Sequence, residues 1–90
     1  MTAQADELSE MAIEELDAAC DMTWEEVEKI TPWGDVFTGI APSGREVEVE
    51  RRYLWSNEPG GGVVVEVEVR DPAGRDEAQA RALLSPPPQD

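Results

Sequence analysis

The sequence predicts an α+β fold, because helical spacing of apolar residues before Pro32 gives way to strand alternation after it. Apolar residues recur every three or four positions in the first segment and every second position in two later segments. Breaks that contain glycine or proline separate these segments. We therefore expect N-terminal helices and a short C-terminal helix packed on a three-stranded antiparallel β-meander.

The first predicted helix, residues 5–20, is amphipathic, with one apolar side and one acidic side. A second, shorter helix is expected to begin after Thr23, because Thr23 and Glu26 have the spacing of a capping box. Pro32 should end it, since proline cannot continue a helix. The apolar side of the first helix consists of Leu8, Met11, Ala12, Ile13, Leu16, Ala19 and Cys20.

Three strands are predicted at residues 33–41, 46–55 and 63–70. Residues 42–44 form a turn between the first two, and the glycine-rich residues 56–62 form a longer loop between the last two. If this loop is centred between Glu58 and Pro59, both the apolar and the charged residues of the two strands become complementary. The expected pairs are Tyr53–Val65, Trp55–Val63 and Val49–Val69 on the inner face and Arg52–Glu66 and Glu48–Arg70 on the outer face.

Arg51 does not fit this alternation, because the same register turns it inward opposite Val67. We expect either a β-bulge at this point or an arginine at a sheet edge with its charged end in water.

The C-terminal part is predicted to contain a helix at residues 75–84, with Ala78, Ala82 and Leu83 available for packing. Asp76 and Glu77 suit the positive N-terminal end of such a helix. The proline-rich residues 85–90 cannot continue it and are expected to be a disordered tail. The chain should therefore form a single α+β domain over residues 1–84.

The composition argues against catalysis. The chain has no histidine, so it lacks the commonest general base and the commonest metal ligand. Cys20 is the single cysteine and lies among acids that raise a thiol pKa. Gly60-Gly61-Gly62 lacks the residues of a phosphate-binding loop, and no calcium-loop pattern is present. We expect a protein that is not an enzyme and has no cofactor and no metal.

The charge is strongly negative and unevenly distributed. The net charge is −14, and residues 1–28 hold ten acids and no Lys or Arg, so they carry −10 and the rest of the chain carries −4. This charge disfavours direct binding to nucleic acids or membranes and favours a partner protein with a basic surface. With one cysteine and no signal-peptide pattern, a cytoplasmic location is expected.

Like charges at helical spacing in the first segment cost stability, which indicates a role in binding. We expect a non-catalytic protein-binding module, an inhibitor or regulator that docks this acidic helix on a basic partner, of the nucleic-acid mimic, antitoxin or immunity type. In size and composition the chain is similar to small phage-encoded inhibitors, antitoxins and immunity proteins. The predicted partner-binding residues are Asp6, Glu7, Glu10, Glu14, Asp17, Asp21, Glu25 and Glu28.

Other interpretations remain open. The acids could serve solubility alone. The protein could instead be an accessory subunit of a larger enzyme complex that uses apolar anchors such as Trp33 or Trp55, in which case binding should tolerate salt. It could also be a homodimeric structural protein that pairs through the edge of the first predicted strand.

Overall fold

The computed structural model describes residues 3–74 and 76–87, with side chains from residue 7 onward within those ranges. Two helices precede four strands, and no further helix or strand occurs in this part of the chain. The elements are α1 (Ala3–Cys20), α2 (Trp24–Ile30), β1 (Trp33–Ile40), β2 (Glu46–Trp55), β3 (Val63–Arg70) and β4 (Glu77–Leu84).

The four strands form one antiparallel sheet in the order β1-β2-β3-β4, so that β1 and β4 are its edges. α1 packs mainly over β3 and β4 on one side of the sheet, which we call the inner face. The opposite side, the outer face, carries mostly charged side chains that are exposed or half-buried. The alternation of buried and accessible residues along β2 and β3 follows from one covered face and one open face.

The predicted register between β2 and β3 is confirmed at all five expected pairs. The interpretation of Arg51 is wrong in both versions, because β2 is a central strand and its one-to-one register continues through Arg51 and Val67 without a bulge. Arg51 is accommodated on the inner face by Asp35, which lies opposite on β1 and binds its guanidinium.

The predicted C-terminal helix is wrong: residues 77–84 form the strand β4, and the sheet has four strands instead of three. Alanine, glutamine, arginine and leucine favour helices intrinsically, but tertiary context overrides such a weak preference. Here β3 offers a free edge, and alternate residues of β4 turn toward the inner face opposite valines of β3. The inward residues are Ala78, Ala80, Ala82 and Leu84.

The core consists of two groups of buried residues beneath the helices. Leu16 of α1 packs against both groups. The first, the Val49 cluster, contains Leu8, Ala12, Ala41, Val47, Val49, Val67 and Val69. The second, the Val65 cluster, contains Ala19, Val27, Tyr53, Val63 and Val65, with Trp24 and Trp55 packed against it.

The helix boundaries agree closely with expectation. The Thr23 side chain accepts a hydrogen bond from the backbone N–H of Glu26 at 3.3 Å and donates one to the Glu26 carboxylate at 3.2 Å. Thr23 is thus the N-cap of α2, and Thr31 closes its end by donating to the carbonyl of Val27 before the cis peptide bond to Pro32. Residues 85–87 of the predicted tail have no regular structure, and residues 88–90 lie outside the described residues.

Candidate protein-binding surface

Four acids form one row along α1 and the residue that follows it. Glu10, Glu14, Asp17 and Asp21 are separated by four, three and four positions, a spacing that places them on one side of a helix. All four are exposed. The fully buried Leu8 lies on the opposite side of the helix, because two residues correspond to about 200° of rotation.

α2 carries three exposed acids, Glu25, Glu26 and Glu28. Glu26 bonds to the N-cap Thr23, and the other two extend the set of exposed acids of α1. We call Glu10, Glu14, Asp17, Asp21, Glu25 and Glu28 together the acidic ridge. Among the residues that the structure describes, none of these six carboxylates forms an ion pair. Lys29, the one lysine of the chain, is also exposed and makes no ion pair within the described ranges.

Glu7 belongs to a different arrangement. Its carboxylate accepts hydrogen bonds from the backbone N–H of Ser43 at 2.6 Å, from the Ser43 hydroxyl at 2.9 Å and from Arg45 at 3.2 Å. Desolvation tends to raise the pKa of Glu7, but the Ser43 and Arg45 bonds outweigh it and lower the pKa. Glu7 therefore joins α1 to the β1–β2 turn. The Asp6 side chain lies outside the described residues.

On the outer face, four of the six acids are paired with arginines, and Glu46 and Glu77 form no ion pair among the described residues. Arg70 binds Glu48 at 2.9 Å and Glu50 at 3.1 Å and also pairs with Glu68. Arg52 binds Glu50 and Glu66, each at 3.1 Å. The exposed Arg81 lies 3.8 Å from Glu66, and Gln79 donates to Glu68 at 2.7 Å.

A further ion-pair group lies at the β3–β4 connection. Arg45 binds Asp71 at 2.7 Å and Asp76 at 3.3 Å. The backbone N–H of Ala73 and the Arg45 guanidinium lower the pKa of Asp71. Among the side chains that the structure describes, the unpaired acids thus lie mainly on the helices and the turn after α1, whereas most acids of the sheet have partners.

On the inner face, Arg51 lies between two aromatic rings. Its guanidinium carbon is 5.3 Å from the ring centre of Trp33 and 5.0 Å from that of Phe37, within cation–π range. The hydrogen bond from Arg51 lowers the pKa of Asp35. Sequence reasoning missed this group, although the 42–44 turn, by fixing the β1–β2 register, places Asp35 opposite Arg51.

Exposed apolar side chains lie outside the ridge. Among the tryptophans, Trp33 is exposed, whereas Trp24 and Trp55 are half-buried. Ile13, expected on the packed side of α1, is 52% exposed instead, because the buried stripe of α1 is narrower than the apolar pattern. The others are Val36, Ile40, Leu54 and Leu83 on the outer face.

Chemically reactive groups are few. Burial raises the pKa of the Cys20 thiol, and the neighbouring Asp17 carboxylate raises it further, so the reactive thiolate is disfavoured. Within residues 3–74 and 76–87, no three His, Cys, Asp or Glu side chains come together as metal ligands. Over the same residues, neither helix combines the length and apolar character needed to cross a bilayer.

The described residues thus offer the acidic ridge and the outer edges of β1 and β4 as candidate binding surfaces. Neither a protein-family model, nor a curated protein, nor a solved structure matches this chain.

Proposed function

We propose that this protein is a non-catalytic, cytoplasmic binding module that docks its acidic ridge on a basic surface of a partner protein and thereby inhibits or regulates it. The observation that supports this function is the contrast between two sets of acids. Among the described residues, all six ridge carboxylates are exposed without a cationic partner, whereas four of the six outer-face acids are paired with Arg52, Arg70 or Arg81. The paired acids are Glu48, Glu50, Glu66 and Glu68.

The ridge is electrostatically unfavourable in the isolated protein. Glu10 and Glu14 are like charges four residues apart within α1, and such a pair destabilises a helix by roughly 0.2–0.5 kcal/mol. A basic partner surface would remove this repulsion on binding. The same long-range field would also attract that partner and raise the association rate.

The charge spacing bears on the nucleic-acid-mimic form of this proposal. Glu10 to Asp21 spans eleven residues, roughly 16 Å at the rise of an α-helix, and holds four ridge carboxylates. One DNA strand carries a phosphate about every 3.4 Å along its axis. The ridge thus has the sign of a nucleic-acid strand at a lower charge density. It suits a basic protein groove in which only some of the phosphate contacts are needed.

One apolar residue borders the ridge. Ile13 precedes Glu14 by one residue and Asp17 by four, and its exposed side chain could provide an anchor beside the charges. The accessory-subunit function is favoured by a different observation, the exposed Trp33, which could serve as an apolar anchor on the sheet. The two functions differ in salt response, because burial of a tryptophan is little screened by salt.

The test begins with capture of partners from the native host by the wild-type protein and identification by mass spectrometry. Binding is then compared between two triple variants of equal charge change. The first reverses ridge residues, Glu10→Lys, Glu14→Lys and Asp17→Lys, and the control reverses exposed acids elsewhere that form no ion pair, Glu46→Lys, Glu58→Lys and Glu77→Lys.

We expect the ridge variant to lose binding and the control variant to retain most of it. Wild-type affinity should also fall steeply as salt increases. Equal loss in both variants would indicate a response to net charge alone, and unchanged binding by the ridge variant would exclude the ridge as the contact. Salt-tolerant binding that is lost in Trp33→Ala would favour the accessory-subunit function.

A further inference from the structure

β1 is an edge strand whose free backbone groups can be assigned from the hairpin. The backbone N–H of Ala41 donates to the carbonyl of Arg45 at 2.9 Å. Since hydrogen-bonded and non-hydrogen-bonded pairs alternate in an antiparallel ladder, the odd-numbered residues of β1 turn their N–H and C=O groups toward β2. The even-numbered residues, Gly34, Val36, Thr38 and Ile40, therefore turn theirs outward, and all four are exposed.

β1 also has the fewest charged residues of the four strands. Asp35 is its one charged residue, and Arg51 binds that carboxylate at 2.5 Å. The other edge strand, β4, carries Glu77 and the largely exposed Arg81. In a chain with a net charge of −14, the β1 edge is thus a place where a second copy meets little direct repulsion.

The β1 edge lacks most of the features that usually prevent pairing between sheet edges, and its one inward charge, Asp35, is bound by Arg51. Its register with β2 runs without a bulge from Trp33 to Ile40, and the strand contains no proline and no lysine. Val36 and Ile40 are 53% and 62% exposed on the outer face, and Trp33 is 40% exposed on the inner face. A neighbouring strand would cover apolar side chains on both faces.

We propose that β1 pairs with β1 of a second copy, antiparallel, to form a homodimer with one continuous eight-stranded sheet. A two-fold axis at Phe37 places Gly34 opposite the partner's Ile40 and Val36 opposite the partner's Thr38. Four such pairs, each with two hydrogen bonds, use every outward backbone group of the four even-numbered residues. Phe37 then faces the partner's Phe37, and Asp35 faces the partner's Gly39.

An axis at Val36 gives a poorer interface. Ile40 would then face the partner's Pro32, which has no N–H to donate. The same shift would place Asp35 opposite the partner's Phe37, so that a carboxylate meets an aromatic side chain. The register centred on Phe37 avoids both problems.

The dimer and the ridge differ in their response to salt, so failure of one proposal can be told from failure of the other. Two copies of a strongly negative chain repel each other over the whole surface, and salt screens that repulsion. Self-association through β1 should therefore tighten as salt increases, whereas docking of the ridge on a basic partner should weaken.

The first experiment is sedimentation equilibrium of the full chain over a wide range of concentration and salt. Thr38→Pro removes an outward N–H without removing a β1–β2 hydrogen bond, and Thr38→Val is the matched control that keeps the N–H. We expect a wild-type dimer, with self-association at least about tenfold weaker in Thr38→Pro and nearly unchanged in Thr38→Val. Circular dichroism checks that both variants are folded.

The second experiment tests the register by cross-linking in a Cys20→Ser background. Phe37 would form a non-hydrogen-bonded pair with the partner's Phe37, with Cα atoms about 4.5 Å apart, which suits a disulfide. Phe37→Cys should therefore give a covalent dimer on oxidation, and Val36→Cys should not. A wild-type protein that stays monomeric at every concentration would overturn the proposal, as would a dimer insensitive to Thr38→Pro that Phe37→Cys does not cross-link.

Discussion

Arg51 and Asp35 face each other across β2 and β1 and are joined by two parallel hydrogen bonds, of 2.8 Å and 2.5 Å. The guanidinium also lies beside the rings of Trp33 and Phe37. These contacts give the charged residue partners on the same face as the core valines. They also hold β1 in one register, since a shift by one residue would separate the two charges.

Replacement of Asp35 by asparagine should lower the free energy of unfolding by about 1–2 kcal/mol, because Arg51 loses a charged partner in a half-buried position. Urea unfolding measures the change. Arg81→Ala is the control, since Arg81 is 70% exposed and lies 3.8 Å from Glu66. That variant should change stability by less than about 0.5 kcal/mol. Equal effects in the two variants would contradict the role assigned to Asp35.

Three carboxyl groups should contribute less to stability at acidic pH. The pKa values of Glu7, Asp35 and Asp71 are lowered in the folded protein. A carboxyl group with a lowered folded-state pKa stabilises the fold fully above its unfolded pKa, about 4, and that contribution is lost as the pH falls through the folded-state value. Unfolding free energies of the wild type and of Asp35→Asn should therefore be compared between neutral pH and about pH 2, and their difference should shrink below about pH 4. A difference that stays constant with pH would contradict the expectation.

Truncation of two apolar residues on α1 should have very different costs. Leu8 is 0% exposed in the Val49 cluster, so Leu8→Ala should cost about 2–5 kcal/mol through lost burial and a cavity. Ile13 is 52% exposed, and Ile13→Ala should cost less than about 1 kcal/mol. Chemical denaturation of the two variants measures the change in the free energy of unfolding. A large loss of stability in Ile13→Ala would contradict the observed packing side of α1.

Proline substitutions distinguish the observed strand β4 from a helix. The backbone N–H of Asp71 donates to the carbonyl of Asp76 at 3.0 Å. Because hydrogen-bonded and non-hydrogen-bonded pairs alternate along the ladder, the backbone N–H of Ala80 bonds to β3 and that of Gln79 points away from the sheet. Ala80→Pro should therefore cost about 3 kcal/mol or more, and Gln79→Pro much less. In a helix both substitutions would lower stability strongly. Similar large losses of thermal stability in the two variants would therefore contradict the assignment of residues 77–84 to a strand.

The ridge predicts a conflict between stability and binding. Glu14→Lys replaces a like-charge pair with Glu10 by an attractive one, which should raise the free energy of unfolding by about 0.5 kcal/mol. The same change should weaken docking on a basic partner. Glu58→Lys, in the exposed β2–β3 loop, serves as a control and should alter neither property appreciably. Thermal unfolding at low salt measures the stability change, and a less stable Glu14→Lys would contradict the repulsion.

The sequence was sufficient for α1, α2 and the β2–β3 register, because several signals agreed there. The Thr23 cap, the break at Pro32 and the matched charges of Arg52 with Glu66 each supported the same arrangement. The residues of the predicted ridge were assigned from spacing alone. Six of the eight are exposed and form no ion pair with any described residue, whereas Glu7 binds Ser43 and Arg45.

β4 could not be predicted by intrinsic preference. Alanine is the strongest helix former, and its small side chain gives only a weak alternating pattern of hydrophobicity. Two tertiary interactions favour the strand instead. β4 pairs with the otherwise free edge of β3, and Ala78 and Ala80 pack beneath α1 against the Val49 cluster. Such information is nonlocal and is absent from residues 77–84 themselves.

The division of the core into two clusters determines which part of the protein tryptophan fluorescence can monitor. Trp24 and Trp55 pack against the Val65 cluster, and Trp33 lies 5.5 Å from Tyr53 between ring centres. Tryptophan fluorescence therefore monitors the end of the molecule that contains the Val65 cluster, since none of the described residues packed against the Val49 cluster is a tryptophan. Leu16 packs against both clusters, so its truncation is the change best suited to reveal whether the Val49 cluster, which has no tryptophan, unfolds together with the Val65 cluster.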